Sequence, residues 1–408
     1  MSTQYGGDEI GALVLDPGTH STRAGFAGED TPKSLIPSNY GVVSATSKRY
    51  YGDGTIHVPR PGMEVENYMH EGAVRDFDAA ADVWSHIFGE QLRTTVSEAP
   101  LMITEPSWNV AASRERTMEI AFEKMNVPAS YLLKGVVAAA FASGKSTALV
   151  IDIGHGVTSV TPVYDGLVLK RGLQKQAFAG AALNVLVDEL FKERHLELPP
   201  HFAVKQKGAP ETGKDAVVKM PEKLTNSFLS AERTRIVEEY KESVLQVYEA
   251  TYNELTAQQR PRRIFEFPTG RQESFKQERF KIPEALFTSD DNHQSLQDMI
   301  AKAVNSTEID VRPILLQNII ITGGSSLIPG LESRLQTELL QIFQGAKIRI
   351  TAAGNTVERK CAGWLGGSIL ASLGTFHQLW ISKAEWEEQG SSRLENATRS
   401  EFLEKRCK

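Results

Sequence analysis

Residues 148–166, ALVIDIGHGVTSVTPVYDG, decide how this chain reads. Three apolar residues, Leu149-Val150-Ile151, run into Asp152; Gly154 and Gly156 follow, and a Val/Thr/Ser-rich stretch resumes. The pattern predicts a buried strand, a tight turn and a second strand, with a carboxylate at the turn's entrance. The same grammar appears at residues 11–28, GALVLDPGTHSTRAGFAG, where Leu13-Val14-Leu15 leads into Asp16 and Gly18. Gly18, Gly154 and Gly156 are expected to supply backbone conformations that a β-carbon resists. Helical regions are predicted at 78–92 and 113–126 after the first copy, and at 179–193 after the second. Two copies of one α/β unit suggest two similar lobes facing each other across a cleft.

The chemistry of such a pair is specific. Glycine-rich hairpin turns aim backbone N–H groups at one point and make a nest for phosphate oxygens. A carboxylate beside phosphate repels it unless a cation lies between them. Asp16 and Asp152 therefore imply Mg²⁺, held largely through its waters, with a nucleotide phosphate chain between the turns. Thr19 is placed to donate to phosphate and Arg23 to neutralise it. The plainer reading is that the two aspartates only start turns, as aspartates often do; the repeat and the glycines weigh against it. A third stretch, NIIITGGSSLIPGLESRL at 318–335, reads as a strand ending in Gly323-Gly324 ahead of a helix. Such a glycine pair lets a flat or anionic ligand approach the backbone closely, and here it suggests a purine on Gly324.

Bulk composition narrows the class. The chain has 408 residues, more than one ordinary core supports, so two or more domains are expected. A formal net charge of −6 gives no global basic field for free nucleic acid. Two cysteines, Cys361 and Cys407, make no disulfide framework, which fits a reducing compartment. The polar, acidic start is not expected to be a signal peptide, and no apolar run approaches the roughly 20 residues of a membrane span. No stretch is long or biased enough to be read as disordered; residues 205–223, rich in Lys, Gly and Pro, come nearest to it.

The three stretches, in this order, resemble the actin fold and its wider ATPase superfamily. AGFAGEDTPKSLIPS (24–38), ERFKIPEALF (278–287), ITGGSSLIPG (321–330) and GWLGGSILASLGTFHQLWISKAEWEEQG (363–390) resemble actin itself, and the resemblance covers almost the whole chain. The start YGGDE (5–9) and the segment GTFHQLW (374–380) resemble the nuclear branch of the family, whose members are subunits of chromatin-remodelling and histone-acetyltransferase complexes. The resemblance implies an α/β, two-lobed fold with four subdomains around a central nucleotide cleft. Its division would be 1–36, 68–142 and 361–408; 37–67; 143–178 and 288–360; and 179–287. By position it implies ATP and Mg²⁺ as ligands. Asp16, Gly18, Thr19 and Arg23 would meet phosphate and metal in the first loop, and Asp152, Gly154 and Gly156 in the second. Lys241, Glu242, Gly323, Gly324, Ile328 and Lys360 would form the nucleoside pocket. Both aspartates would reach the metal through water.

Several positions depart from actin. Arg23 stands for a lysine, Ile328 for an aromatic residue and Glu238 for an arginine near the base. Gly135, in YLLKGVVAAAF, stands where actin has the glutamine that orients the attacking water, and Ser159 where it has a histidine that helps position it. Phosphoanhydride hydrolysis depends on positioning and polarising the nucleophile, and glycine does neither. The expectation is a nucleotide cradle with no catalytic residue, in a structural subunit and not an enzyme. His155 is a candidate substitute base, but a solvated or structurally bonded turn histidine is preferred because a base needs a positioned partner. After Phe287, the polar 288–292 turn replaces actin's apolar plug, so no self-filament is expected.

Partners and location follow from the same resemblance: the nucleus, nuclear actin, an amphipathic scaffold helix of a remodeller or acetyltransferase subunit, histones or the nucleosome as further candidates, and no membrane. The helix would dock beside the 363–380 segment, where Leu365, Ile369, Leu370 and Leu373 share one helical face and are expected mostly to pack inward. Two alternatives stay open, a slow actin-like ATPase and a cytoskeletal filament former. Lys48-Arg49-Tyr50-Tyr51 reads best as a solvated loop. Arg260, Arg262 and Arg263 read as a solvated loop or as a contact for nucleosomal DNA or a phosphorylated tail. The C-terminal region predicts a surface helix and tail anchored by Trp386, Leu394, Phe402 and Leu403.

Overall fold

The computed structural model of the chain describes residues 11–394. The 5–9 motif, Phe402, Leu403 and Cys407 lie outside them. The chain divides into two compact units: one holds Tyr68–Gly144 with the described parts of Met1–Ser38 and Cys361–Lys408, the other Asn39–Asn67 and Lys145–Lys360. No helix among the described residues is long and apolar enough to cross a membrane.

The first unit is built on a six-stranded sheet, in the order Ile381–Ser382, Ala129–Lys134, Leu101–Glu105, Leu13–Pro17, Ser21–Phe26, Ser34–Pro37. Leu13–Pro17 pairs antiparallel with Ser21–Phe26 and parallel with Leu101–Glu105. The second unit repeats this layout. Ala148–Ile153 pairs antiparallel with Thr158–Tyr164 and parallel with Ile319–Thr322. In both hairpins the carboxylate faces the residue seven positions on, Asp16 opposite Arg23 and Asp152 opposite Ser159. The duplication legible in sequence is thus a duplication of register, and the α/β actin-like class is the observed one. Strands buried on both faces read as continuous apolar runs, and Leu149, Val150 and Ile151 are fully buried.

The expected helices form. Phe77–His86 continues into a wider turn at Ile87–Gln91, Ala111–Glu119 into another at Ile120–Lys124, and Gly180–Glu193 follows the second hairpin. Asp76 caps the first of these through Ala79 N. The apolar helix Gly135–Ala142 is wedged against Ala362–Ala371, where glycines let two backbones approach. Lys383–Gln389 carries a capping box between Ser382 and Glu385, with Trp386 buried against Phe122 and Leu394 also buried.

Three local expectations are corrected. Residues 205–223 are not structureless: Val204–Gln206 and Val217–Val218 pair as a small hairpin, and its connecting loop is tied by Ala209 N to Lys214 O at 2.9 Å and Gln272 N to Pro210 O at 2.6 Å. Lys48–Tyr51 is not a solvated loop but a strand beside Asn39–Val43, with both tyrosines half-buried and the Arg60 guanidinium 4.0 Å from the centre of the Tyr50 ring. On the Ala362–Ala371 helix and beyond, Leu370 packs inward and Leu365 partly so, but Ile369 and Leu373 are exposed. Gly366 and Gly367 face the neighbouring elements together with Trp364 and Leu370, which turns Ile369 and Leu373 outward.

Within the second unit, residues 39–67 are fastened to the long helix Asn226–Val244. Thr225 Oγ1 donates to Met63 O at 2.5 Å, Val65 N to Ser227 Oγ at 3.0 Å, and His57 Nδ1 lies 2.5 Å from Glu232 Oε1. Glu232 is buried, so its charge needs a partner. Hydrogen bonds to Asp53 and Glu232 outweigh burial and the nearby Arg235, and raise the His57 pKa to about 9. A folded-state pKa above the unfolded value near 6.5 means the stabilisation is complete below about pH 6.5 and is lost as pH rises through about 9. After allowance for solvent screening the contribution is about 1–2 kcal/mol. The Tm gap between the wild type and His57→Gln should therefore narrow from pH 6.5 to pH 9; a gap constant with pH would show that the ion pair does not fasten this segment.

Candidate functional site: two phosphate-type turns and a nucleoside-type pocket

In the first unit, Asp16 ends the buried run Leu13–Leu15 and is itself half-buried. Gly18 N donates to Ser21 O at 3.1 Å, closing the turn, and Ser38 Oγ donates to Gly18 O at 2.6 Å. Contrary to the expectation from sequence, Gly18 is not in the left-handed region; its need is space, since a β-carbon there would stand 2.9 Å from Ser21 O. Thr19 Oγ1 accepts from Gly72 N at 2.9 Å. Arg23 Nη1 donates to Asp16 Oδ2 at 3.0 Å, so its first partner is the carboxylate, and Thr104 Oγ1 donates to Oδ1. Each carboxylate oxygen can accept more than one bond, so Asp16 retains capacity for the water shell of a cation. Gly363 supports the same corner: a β-carbon there would lie 3.3 Å from Asp16 Oδ1.

Gly135 begins its helix at the end of strand Ala129–Lys134. A β-carbon at 135 would meet nothing closer than Glu105 O at 3.7 Å. The fold therefore leaves room for a side chain, and the glycine is not a packing requirement. Nearby, buried Glu105 is held by Arg114 Nε at 2.9 Å and Lys134 Nζ at 2.8 Å. This ion-pair group belongs to the turn's surroundings and has no signal in the sequence beyond residue type.

In the second unit, Gly154 N donates to Val157 O at 3.0 Å, the same closure as in the first hairpin, with Gly156 in the bend. Gly154, too, avoids the left-handed region; a β-carbon there would press on Val157 O at 3.2 Å. Gly154 O accepts from Gly180 N at 3.1 Å and from Ser325 Oγ at 2.8 Å, which locks the turn from two sides. Gly323 does adopt a left-handed φ of 92°, and a β-carbon on it would collide with the Asp152 carboxylate and the Ile153 carbonyl. Gly324 has nothing within 4 Å of where its β-carbon would be. A glycine pressed against the carboxylate, followed by one with open space about it, makes a cradle of the kind a flat ligand fills. Opposite Asp152, Ser159 Oγ is buried without a hydrogen-bond partner.

Nucleoside-type residues gather in this unit. Lys241 Nζ donates to Gly180 O at 3.2 Å, and burial holds its pKa below the usual lysine value. Glu242 and Lys360 form an exposed pair at 3.5 Å. Ile328 stands differently from expectation: it is packed into the apolar core of the unit. Arg359 was missed by sequence reasoning. Its carbonyl accepts from Gly323 N at 3.1 Å, and its guanidinium donates to Ala353 O at 2.9 Å and to Ser326 O at 3.3 Å, which ties the Thr356–Lys360 helix to the glycine turn. Gly180 and Ser325 were missed as well; only the glycine before an apolar-periodic helix hinted at the first. His155 has a positioned partner after all: its Nδ1 lies 3.6 Å from Glu238 Oε1, an ion-pair distance too long for a hydrogen bond, and Asn184 Nδ2 orients that carboxylate at 3.1 Å. The polar turn after Phe287 is also better satisfied than expected, because Asp290 accepts from Asn292 N and His293 N at 2.7 and 2.8 Å.

The actin family model matches residues 7–399. The chain is 40% identical to "SWI/SNF and RSC complexes subunit arp42" of Schizosaccharomyces pombe, over 98% of this chain and all of that protein. It is 39% identical to actin-related protein 4 of Emericella nidulans, over 100% and 98% of the two chains, and 40% identical to actin-related protein 4 of Yarrowia lipolytica, over 96% of each.

Proposed function

This chain belongs to the actin family, and on that footing we propose that it is a nuclear, non-filamentous structural subunit of chromatin-remodelling and histone-acetyltransferase complexes. The observation that carries this reading is full-length similarity to arp42, a protein named as a subunit of the SWI/SNF and RSC complexes. The chain would hold ATP with Mg²⁺ as a structural ligand. Asp16, Gly18, Thr19 and Arg23 in one unit, and Asp152, Gly154 and Gly156 in the other, are the residues for phosphate and water-borne metal. Lys241, Glu242, Gly323, Gly324 and Lys360 are those for the nucleoside, with Ile328 behind them. The bound cation would neutralise phosphate charge beside the carboxylates. The chain's own residues fit that role: a glycine cradle beside Asp152, spare acceptor capacity on Asp16, and the half-buried Lys241.

Hydrolysis is where the two turns fall short. At position 135 the fold has room for a side chain and the sequence supplies none. Ser159 is buried and too short to reach far from its strand. The chain is proposed to bind nucleotide with little turnover and to pair with nuclear actin on an amphipathic scaffold helix, with the second compact unit divided into the finer subdomains 37–67, 143–178 with 288–360, and 179–287. The test is affinity purification of the tagged chain from nuclear extract. Co-purification of actin together with a remodeller or acetyltransferase scaffold subunit is the expected result. Recovery alone, or recovery in sedimenting homopolymers, would reject the proposal.

A further inference from the structure

In the second unit, one basic group has no counterpart in the functions above. Arg279, in the helix Glu278–Glu284, is only 5% exposed. Its Nη1 donates to Gln246 Oε1 at 2.8 Å and its Nη2 to Pro261 O at 3.1 Å; its Nε, shut off from solvent, has no acceptor. Both acceptors are neutral, and a buried cation without a carboxylate is costly. Burial and the neighbouring Arg263 and Arg260 all lower its pKa, and Glu249 opposes them. Glu249, however, is already shared by Arg260 Nη2 at 3.1 Å and Gln246 Nε2 at 3.2 Å. Arg262 and Arg263 are exposed, and among the described residues neither guanidinium pairs with a carboxylate.

Three arginines thus sit on one loop that Arg279 grips from within, and Glu249 is paired with one of them, Arg260. The loop is held in place, since Arg279 grips Pro261 O and Arg260 lies over the Tyr248 ring at 5.4 Å. Tyr248 Oη bonds Thr256 Oγ1 at 2.8 Å, and the adjoining Leu255 is 72% exposed. A fixed basic surface beside an exposed leucine is complementary to carboxylates next to an apolar side chain. We propose that the surface formed by Arg260, Arg262 and Arg263, on a loop that buried Arg279 holds from beneath through Pro261 O, with Leu255 at its margin, docks an acidic peptide segment of a partner protein. Arginine forks match carboxylates two bonds at a time. Duplex DNA fits less well. It needs a longer basic track, and here Arg260 is already paired with Glu249, in a chain whose acidic residues outnumber its basic ones.

The probe is a labelled synthetic peptide of glutamates around one leucine, titrated with the full chain by fluorescence anisotropy. Binding should weaken with added salt, fall about tenfold or more in Arg262→Glu/Arg263→Glu, and fall a few-fold in Leu255→Ser. Lys347→Glu, an exposed charge reversal outside the cluster, should leave it unchanged. Because Arg262 and Arg263 are exposed, the double variant is expected to keep its fold, which its Tm checks. An affinity indifferent to Arg262 and Arg263, no measurable binding, or a DNA duplex that displaces the peptide at equal or lower concentration would each overturn the assignment.

Discussion

The Asp152→Ala variant is expected to lose the stabilisation that ATP and Mg²⁺ confer on the wild type. Asp152 closes a fully buried strand, faces Ser159 across the hairpin, and sits directly against Gly323. Its removal leaves no carboxylate in this turn to balance the charge of a water-borne cation. A ligand bound only by the native state stabilises it in proportion to the logarithm of its saturation, about 4 kcal/mol at a thousandfold excess over Kd. Loss of tight binding should therefore erase a Tm rise of several degrees while leaving the apo Tm little changed. Ser159→Ala is the informative companion, because it removes a buried hydroxyl that has no hydrogen-bond partner; its apo stability should hold or rise. The measurement is a thermal scan with and without ATP and Mg²⁺, alongside nucleotide retained after gel filtration. An undiminished ligand-dependent shift in Asp152→Ala would remove this turn from the proposed site.

Gly366→Ala should destabilise the first unit more than any surface change. A β-carbon at 366 would occupy the space of the Ala138 carbonyl, which is backbone in the facing helix and cannot rotate away. The helix Ala362–Ala371 also packs on strand Leu13–Pro17, where Trp364 Nε1 donates to Val14 O at 3.2 Å, so separating the helices disturbs the strand that presents Asp16. Overpacking against fixed backbone is expected to cost about 3 kcal/mol or more, a fall in Tm of about 6–12 °C for a unit of this size. Gly374→Ala is the control, since nothing lies within 4 Å of its β-carbon position. Equal melting of the two variants would mean that the helices adjust freely and that the close approach is not required.

Much of this architecture was legible before any coordinates. Apolar runs ending in aspartate and glycine specify strand and turn through local periodicity and local sterics, and a repeat of that pattern carries its register with it. The hairpins of Asp16 and Asp152, the Gly323-Gly324 turn and the main helices accordingly stand where the sequence placed them. The reason for the turn glycines was different from the one read in sequence: Gly18 and Gly154 are demanded by close carbonyls, and only Gly323 by its φ. Pattern alone does not separate those two causes, because both appear simply as glycine.

What tertiary structure decided is which polar groups meet. His57 finds Glu232 at a separation of 175 residues, and Ser325 finds Gly154 at 171. His155 acquires Glu238, Arg23 turns to Asp16, and Ile328 sinks into the core. Whether Ile369 and Leu373 face inward was likewise settled by Gly366 and Gly367, which set the helix's rotation against its neighbour. A periodic pattern depends on neighbours within a few residues, so one sequence window contains it. An ion pair, a buried hydroxyl or a helix rotation depends on packing between segments far apart in the chain, and no single window holds both partners.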